Sequence, residues 1–268
     1  MMVWAGVSAP ASALGPTALV GNAPQAEAES LAVDAYVHDP RVAVLPRTGT
    51  LVVTLPLLHL PLGDGGFRVH LTGVGGVPGG SWLGPGWGSS LEARLVPTGP
   101  DVVLLEPAGE TRRFRPGQGG LFADRGLSVL RSTPDGYTVE DAAGHRRFDR
   151  EGRLRGITTG GNEVALEGPP DRPAALRTAD ATLLELTFSE AGRLTEARDG
   201  IGRAARLEYD PAGRLVRVVD FTGLASGFGW DDRGRLSRMS WPEGAESVVE
   251  YDGEGRVASL RGAGGAVT

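Results

Sequence analysis

The chain has 268 residues, 40% of them apolar, with 33 acidic side chains against 27 basic ones, every basic one an arginine. That length holds one large or two ordinary domains. The absence of cysteine removes disulfide scaffolds, thiolate metal sites and a cysteine nucleophile. No basic run marks a nucleic-acid partner, and no apolar run approaches the roughly 20 residues of a spanning helix.

Residues 1–36 are rich in Ala, Pro, Ser and Gly, lack periodicity and end in the acidic "QAEAESLAVD", which reads as a flexible leader. No arginine precedes Arg41, so the charged start of a signal peptide is missing. Over 37–116, short apolar runs alternate with turn residues: "TLVVTLPLLHLPL", "DGGFRVHLTGV", "WLGPGWGSSLEARLV" and "DVVLLEPAGETRRF". Runs of four to eight Val, Leu and aromatic residues bounded by Gly, Pro or Asp are strands, so an N-terminal β domain is expected here. Within it Leu91, Ala93 and Leu95 are expected on one face of a strand, with Glu92 and Arg94 on the wet face.

Over 117–268 the sequence repeats itself. Copies of one heptad read "FDREGRL" from 148, "FSEAGRL" from 188, "YDPAGRL" from 209, "WDDRGRL" from 230 and "YDGEGRV" from 251. From Phe188 onward the aromatic returns every 21 residues, and the gap after Phe148 leaves room for a degenerate copy near "LEGPPDRPAAL". A second turn falls midway through each unit, at "RDGIGR", "DFTGLA" and "WPEGAE". Two turns in 21 residues leave two strands of usual length, so each unit is one β-hairpin of a stacked array.

The repeated side chains then have structural roles. Asp followed by Gly three residues later favours a type I turn, with the carboxylate capping backbone N–H groups. Asp149 with Gly152, Asp210 with Gly213, Asp231 with Gly234 and Asp252 with Gly255 fit, and Ser189 replaces Asp ahead of Gly192. Tyr209, Trp230 and Tyr251 are expected to stack as an aromatic spine, and Phe148 and Phe188 open the two earlier copies. Arg153, Arg193, Arg214, Arg235 and Arg256 are expected to pair with an acid of the neighbouring repeat and to set register. Were the face of Tyr209, Trp230 and Tyr251 exposed, it would instead offer a surface for stacking sugar rings, making the array a carbohydrate- or protein-binding module.

Aromatic-Asp-x-x-Gly-Arg-Leu at this spacing resembles the YD repeat of Rhs proteins, found also in teneurins and in the shell-forming components of Tc toxins. The region before it resembles the domain that leads into the repeats in many Rhs chains: Asp39-Pro40, Thr48-Gly49, Leu60-Pro61-Leu62, then "LGPGW" ending at Trp87 and "LEARL" from Leu91 to Leu95. The resemblance implies an all-β fold in which a β-hairpin ribbon spirals into a hollow shell. That shell encloses a toxin domain for delivery outside the producing cell, in competition between bacteria or against a host. It also implies partners: further repeats or another chain at an open sheet edge, a toxin domain and a secretion apparatus. The copies are fewer than a closed shell needs, and the next aromatic would fall at 272, so a truncated shell segment is expected.

No enzymatic constellation is legible. A chain without lysine has no Gly-Lys-Ser/Thr phosphate loop, and no HExxH, GxSxG or EF-hand pattern occurs. "GVGGVPGGSW" lacks the strand-turn-helix setting of a dinucleotide loop. His38, His59, His70 and His145 are scattered without ligand spacing. No cofactor, metal, nucleic acid or membrane span is expected.

Overall fold

The computed structural model describes residues 36–39, 41–45, 48–62, 65–74, 81–107, 111–117, 122–124, 128–141, 144–262 and 265–267. The expected leader lies outside the described residues up to position 35. Among those described, the chain is all-β, with a single 3-10 turn at Ser90–Glu92.

Two antiparallel sheets form. The first has five strands in sequence order, Tyr36–Asp39, Val42–Leu45, Thr50–Leu62, Gly65–Val74 and Trp87–Ser89. "TLVVTLPLLHLPL" is its longest strand and folds back on the next through Leu62 opposite Gly65. The second is a meandering ribbon from Arg94–Thr98 to Gly265–Val267, in which each strand pairs with its predecessor and successor. Pairing of Arg115 with Ala123 carries the ribbon across 116/117. The sheets divide between Ser89 and Arg94.

The ribbon also curls. Arg94 forms an antiparallel bridge with Arg153, and the Leu95 N–H donates to the Gly152 carbonyl at 2.8 Å, closing a ring through the early strands. No pairing joins Arg94–Thr98 to Gly265–Val267 among the described residues.

Side-chain alternation explains how the sheets meet. In Ala204–Tyr209, Ala205 and Leu207 are buried while Arg206 and Glu208 are exposed. The polar face carries cross-strand ion pairs, among them Glu208–Arg217 at 2.9 Å and Arg261–Glu250 at 3.1 Å. Exposed pairs contribute about 0–1 kcal/mol each, so they favour register more than stability. The apolar face of the ribbon packs on the first sheet in one continuous core, through rings such as Trp82 on Phe188 (5.5 Å between centroids) and Trp87 on Phe228 (4.8 Å). The degenerate repeat forms a hairpin too, Asn162–Glu167 with Ala175–Arg177, but with a wider connection between Glu167 and its partner Ala175.

Candidate functional site

Each repeat is organised by one turn. At 210–214, the Gly213 N–H donates to the Asp210 carbonyl at 2.9 Å and the Asp210 N–H to the Arg214 carbonyl at 3.0 Å. Gly213 has φ +74°, a conformation that costs a side-chain-bearing residue strain. This is a type I turn followed by a left-handed glycine, and beside it the register shifts by one residue: Tyr209 pairs with Leu215 and Glu208 with Arg217, leaving Val216 as a bulge. The same backbone bonds recur at 149–153, 189–193, 231–235 and 252–256, and again in the intervening turns at 199–203, 220–224 and 241–245.

The turn acid caps the fifth residue of its own loop. Asp149, Asp210, Asp231 and Asp252 accept from the N–H of Arg153, Arg214, Arg235 and Arg256 at 2.8–2.9 Å, while Ser189 accepts from Arg193 at 3.2 Å. Burial raises the carboxyls of Asp210 and Asp231, but the backbone and guanidinium hydrogen bonds outweigh it and hold both below the usual range. Asp252 is lowered mainly by the Arg256 N–H.

Three of the five arginines depart from expectation, while Arg153 meets it by reaching an acid of the following, degenerate repeat. Arg214, Arg235 and Arg256 pair with the Asp of their own turn, Nε to Oδ2 at 2.7, 2.8 and 3.0 Å, and not with an acid of the next repeat. The cause is the left-handed glycine, which swings the fifth residue back beside the first. The neighbouring repeat receives the guanidinium face instead: Arg214 lies 5.7 Å from the Trp230 ring centre and Arg235 lies 4.4 Å from that of Tyr251. Arg153 reaches Asp171 at 3.0 Å, and Arg193 donates to the Ser81 carbonyl at 2.6 Å.

Tyr209, Trp230 and Tyr251 pack against the core, partly buried. Their polar tips cross to the preceding repeat: the Tyr209 hydroxyl donates to the Leu194 carbonyl at 2.8 Å, Trp230 Nε1 to Leu215 at 2.9 Å, and the Tyr251 hydroxyl to Leu236 at 2.6 Å. Phe148, which has no polar tip, is fully buried, and Phe188 rests on Trp82. Each ring joins one repeat to the one before it.

Along this row of turns runs the segment that contains "LGPGW". The Leu194 N–H donates to the Trp82 carbonyl at 3.0 Å, and the Val257 N–H to the Gly49 carbonyl at 2.8 Å. Gly84 sits so close to the 210–214 turn that an added Cβ would lie 2.3 Å from the Gly213 carbonyl oxygen. Gly86 faces the Trp230 ring, where a Cβ would lie 3.6 Å away. Together with the Leu95–Gly152 bond, these contacts bring one position of the preceding segment against successive repeat turns. The repeated glycines and arginines are thereby part of a seam as well as of turns.

Glu92 fastens the seam. It lies three residues after Ser89, the N-cap of a capping box, and it takes the Ser89 N–H at 2.8 Å. The same carboxyl accepts from Ser81 Oγ at 2.8 Å and from the Trp82 N–H at 3.2 Å. Burial pushes it up to about 7, against the pull of these three donors and of Arg193. The expected strand alternation is thus corrected. Leu91, Ala93 and Leu95 are buried, but the chain makes a 3-10 turn at Ser90–Glu92 before the strand starts at Arg94, and Glu92 turns inward.

Sequence reasoning also missed an inward charge network, in which Arg146 contacts Glu106 at 2.6 Å and Asp141 at 3.2 Å, and Arg112 contacts Asp141 at 3.3 Å. Of the histidines, His70 is lowered by burial and by Arg68, His59 is exposed, and His145 lies 3.7 Å from Glu140. The His38 side chain lies outside the described residues. Among the described residues no cluster of three or more metal-ligating side chains occurs, and no helix is long and apolar enough to cross a membrane.

Residues 188–225 match the family model described as RHS Repeat. Among solved structures, the chain is similar to "Crystal Structure of TcdB2-TccC3-Cdc42", at 15% identity and a TM-score of 0.28, covering 85% of this chain and 13% of that one. It is similar also to "Crystal Structure of TcdB2-TccC3" (14% identity, TM-score 0.28, 91% and 12% covered). A third is "Structure of Photorhabdus luminescens Tc holotoxin pore, Mutation TccC3-D651A" (15%, 0.28, 84% and 10%). The chain thus spans 10–13% of the length of these structures. No curated protein matches the sequence.

Proposed function

We propose that this chain, whose residues 188–225 match the RHS Repeat family model, is a non-catalytic segment of an Rhs-type shell, part of a wall that encloses a toxin domain and aids its delivery. In this reading the ribbon from Arg94 is the wall and the sheet before it seals the rim formed by the repeat turns. The observation that carries it is the seam: Trp82 and Gly49 are hydrogen-bonded to, and Gly84 is closely packed on, three different repeats. Further repeats, a toxin domain and a secretion apparatus are the partners it requires.

The test is electron microscopy and limited proteolysis on the complete product of the gene. A hollow particle, with any domain beyond the repeats cleaved far more slowly than the same domain alone, is the expected result. An open ribbon and equal cleavage rates would refute enclosure. A glycan-array screen of the chain beside Trp230→Ala separates the competing binding module: a glycan signal lost in the variant would favour it.

A further inference from the structure

The row of repeat rings has a gap. Phe148, Phe188, Tyr209, Trp230 and Tyr251 each end a strand, but the degenerate repeat between the first two carries no ring. Its strand buries Val164 and Leu166 as Ala204–Tyr209 buries Ala205 and Leu207, so the place of the ring falls on Gly168. The connection that follows keeps one bond of the repeat turn: the Arg172 N–H donates to the Pro169 carbonyl at 3.0 Å, as Gly213 does to Asp210. The chain cannot supply the missing ring itself. Gly168 has φ +102°, and an added Cβ would lie 2.8 Å from the Ala174 nitrogen.

What a ring meets in the other repeats is nevertheless in place. Tyr209, Trp230 and Tyr251 give their polar tips to the carbonyls of Leu194, Leu215 and Leu236, each the residue after a turn arginine. Leu154 is that residue ahead of the gap. Arg214 and Arg235 offer their guanidinium faces to the ring of the next repeat, and Arg153 is their counterpart. Its Nε is buried and makes no hydrogen bond, although the Asp171 carboxylate lies 3.0 Å away as an ion partner. Leu154 and Arg153 line a cavity of about 470 Å³, closed on the ribbon side by Leu166 and Pro173 and on the seam side by Trp82 and Trp87. Trp82 already carries Phe188, the ring on the far side of the gap. Leu105, 39% exposed, and the solvent-facing Arg94 and Asp171 also belong to the lining, so the cavity opens outward.

We propose that this cavity is a binding site for a tyrosine or tryptophan side chain carried on a peptide segment of another chain, with an acidic residue after the aromatic. The guest ring takes the place left empty at Gly168, its polar tip donating to the Leu154 carbonyl and its face against Arg153. Size and charge favour a peptide over a free aromatic compound. The volume is well above the ~150 Å³ that takes up benzene, which leaves room for the backbone that bears the ring. At the mouth, Arg94 offers a cation to the acid that follows the aromatic, as Asp149, Asp210, Asp231 and Asp252 follow theirs. The acids of the lining are engaged: Asp171 with Arg153, Glu106 with Arg146 at 2.6 Å, and Glu92 with the N–H groups of Trp82 and Ser89. The site stands on the gap in the row of rings and holds whether or not the ribbon forms part of a shell.

The experiment is calorimetric titration of the whole chain with the capped peptide Leu-Glu-Tyr-Asp-Pro-Ala, the sequence of residues 207–212, with NMR to locate the contact. Saturable binding of one peptide per chain is expected, with shifts at the Trp87 indole and at Leu154. Replacing the peptide's tyrosine with alanine is expected to weaken binding by roughly 10-fold or more. In the chain, Arg153→Ala is expected to weaken it by roughly 5-fold. The peptide comparison uses the unmodified chain, so it decides the matter even where that variant folds poorly. Absence of saturation, equal affinity for the alanine peptide, or shifts confined to other parts of the chain overturns the proposal. N-acetyltyrosinamide that binds as tightly as the peptide overturns the peptide partner in favour of a free aromatic compound.

Discussion

Arg235 stacks on Tyr251 of the following repeat, its guanidinium carbon 4.4 Å from the ring centre, while the same group is held from behind by Asp231 at 2.8 Å. The acid thus fixes a planar cation at the height where the next aromatic arrives. Lysine in place of arginine keeps the charge but loses both the fork and the stacking plane. Arg235→Lys is expected to cost about 1 kcal/mol in urea denaturation. Arg206→Lys, altering an exposed pair with Glu196 at 3.3 Å, is expected to be near neutral. Equal losses in the two would show that the stack adds nothing.

The seam makes two glycines with similar backbones respond differently. Gly84 (φ +92°) and Gly234 (φ +75°) both resist a side chain, but an added Cβ meets the Gly213 oxygen at 2.3 Å in the first case and nothing within 4 Å in the second. Gly234→Ala is expected to cost about 1 kcal/mol, from backbone strain alone. Gly84→Ala adds displacement of the docking segment and is expected to cost about 3 kcal/mol or more, with faster exchange at Leu194. Comparable urea midpoints would contradict the docking.

Removing the hydroxyl that ties one repeat to the one before it gives a third expectation. Tyr251→Phe keeps the ring and its cation partner but deletes the 2.6 Å bond to the Leu236 carbonyl. About 1 kcal/mol should be lost, read as a shift in thermal midpoint. An unchanged midpoint would mean that water replaces the phenol without cost.

On the acid side, the turn carboxylates set the direction. Asp199, Asp210, Asp231 and Asp252 are all held below their ordinary value of 3.8. Their contribution is fully present above that value and is lost as pH falls through the lowered titrations. Stability followed by urea denaturation from pH 5 to pH 2.5 should fall, and Asp210→Asn with Asp231→Asn should flatten the curve. An equally steep curve in the double variant would place the acid sensitivity elsewhere.

The repeat was legible because everything it needs is local: Asp210, Gly213 and Arg214 make their bonds within five residues, and Tyr209 marks where the strand ends. Which acid Arg214 would choose was not legible, since that depends on how far the left-handed glycine turns the chain. Glu92 was hidden by a period of two that holds for Leu91, Ala93 and Leu95, although Ser89 three residues earlier is the signature of a capping box. The seam itself could not be seen, because spacing along a chain does not say which carbonyl meets Gly213.

The strand order has a consequence for how the molecule assembles. Every hairpin of the ribbon joins sequence neighbours, so each can close as soon as it leaves the ribosome, whereas Arg41 must find Glu243 across 202 positions of chain. Loop-closure entropy puts such long-range contacts last. The ribbon is thus laid down in the order of synthesis, and the contact that Arg41 makes with it forms only after Glu243 has been made.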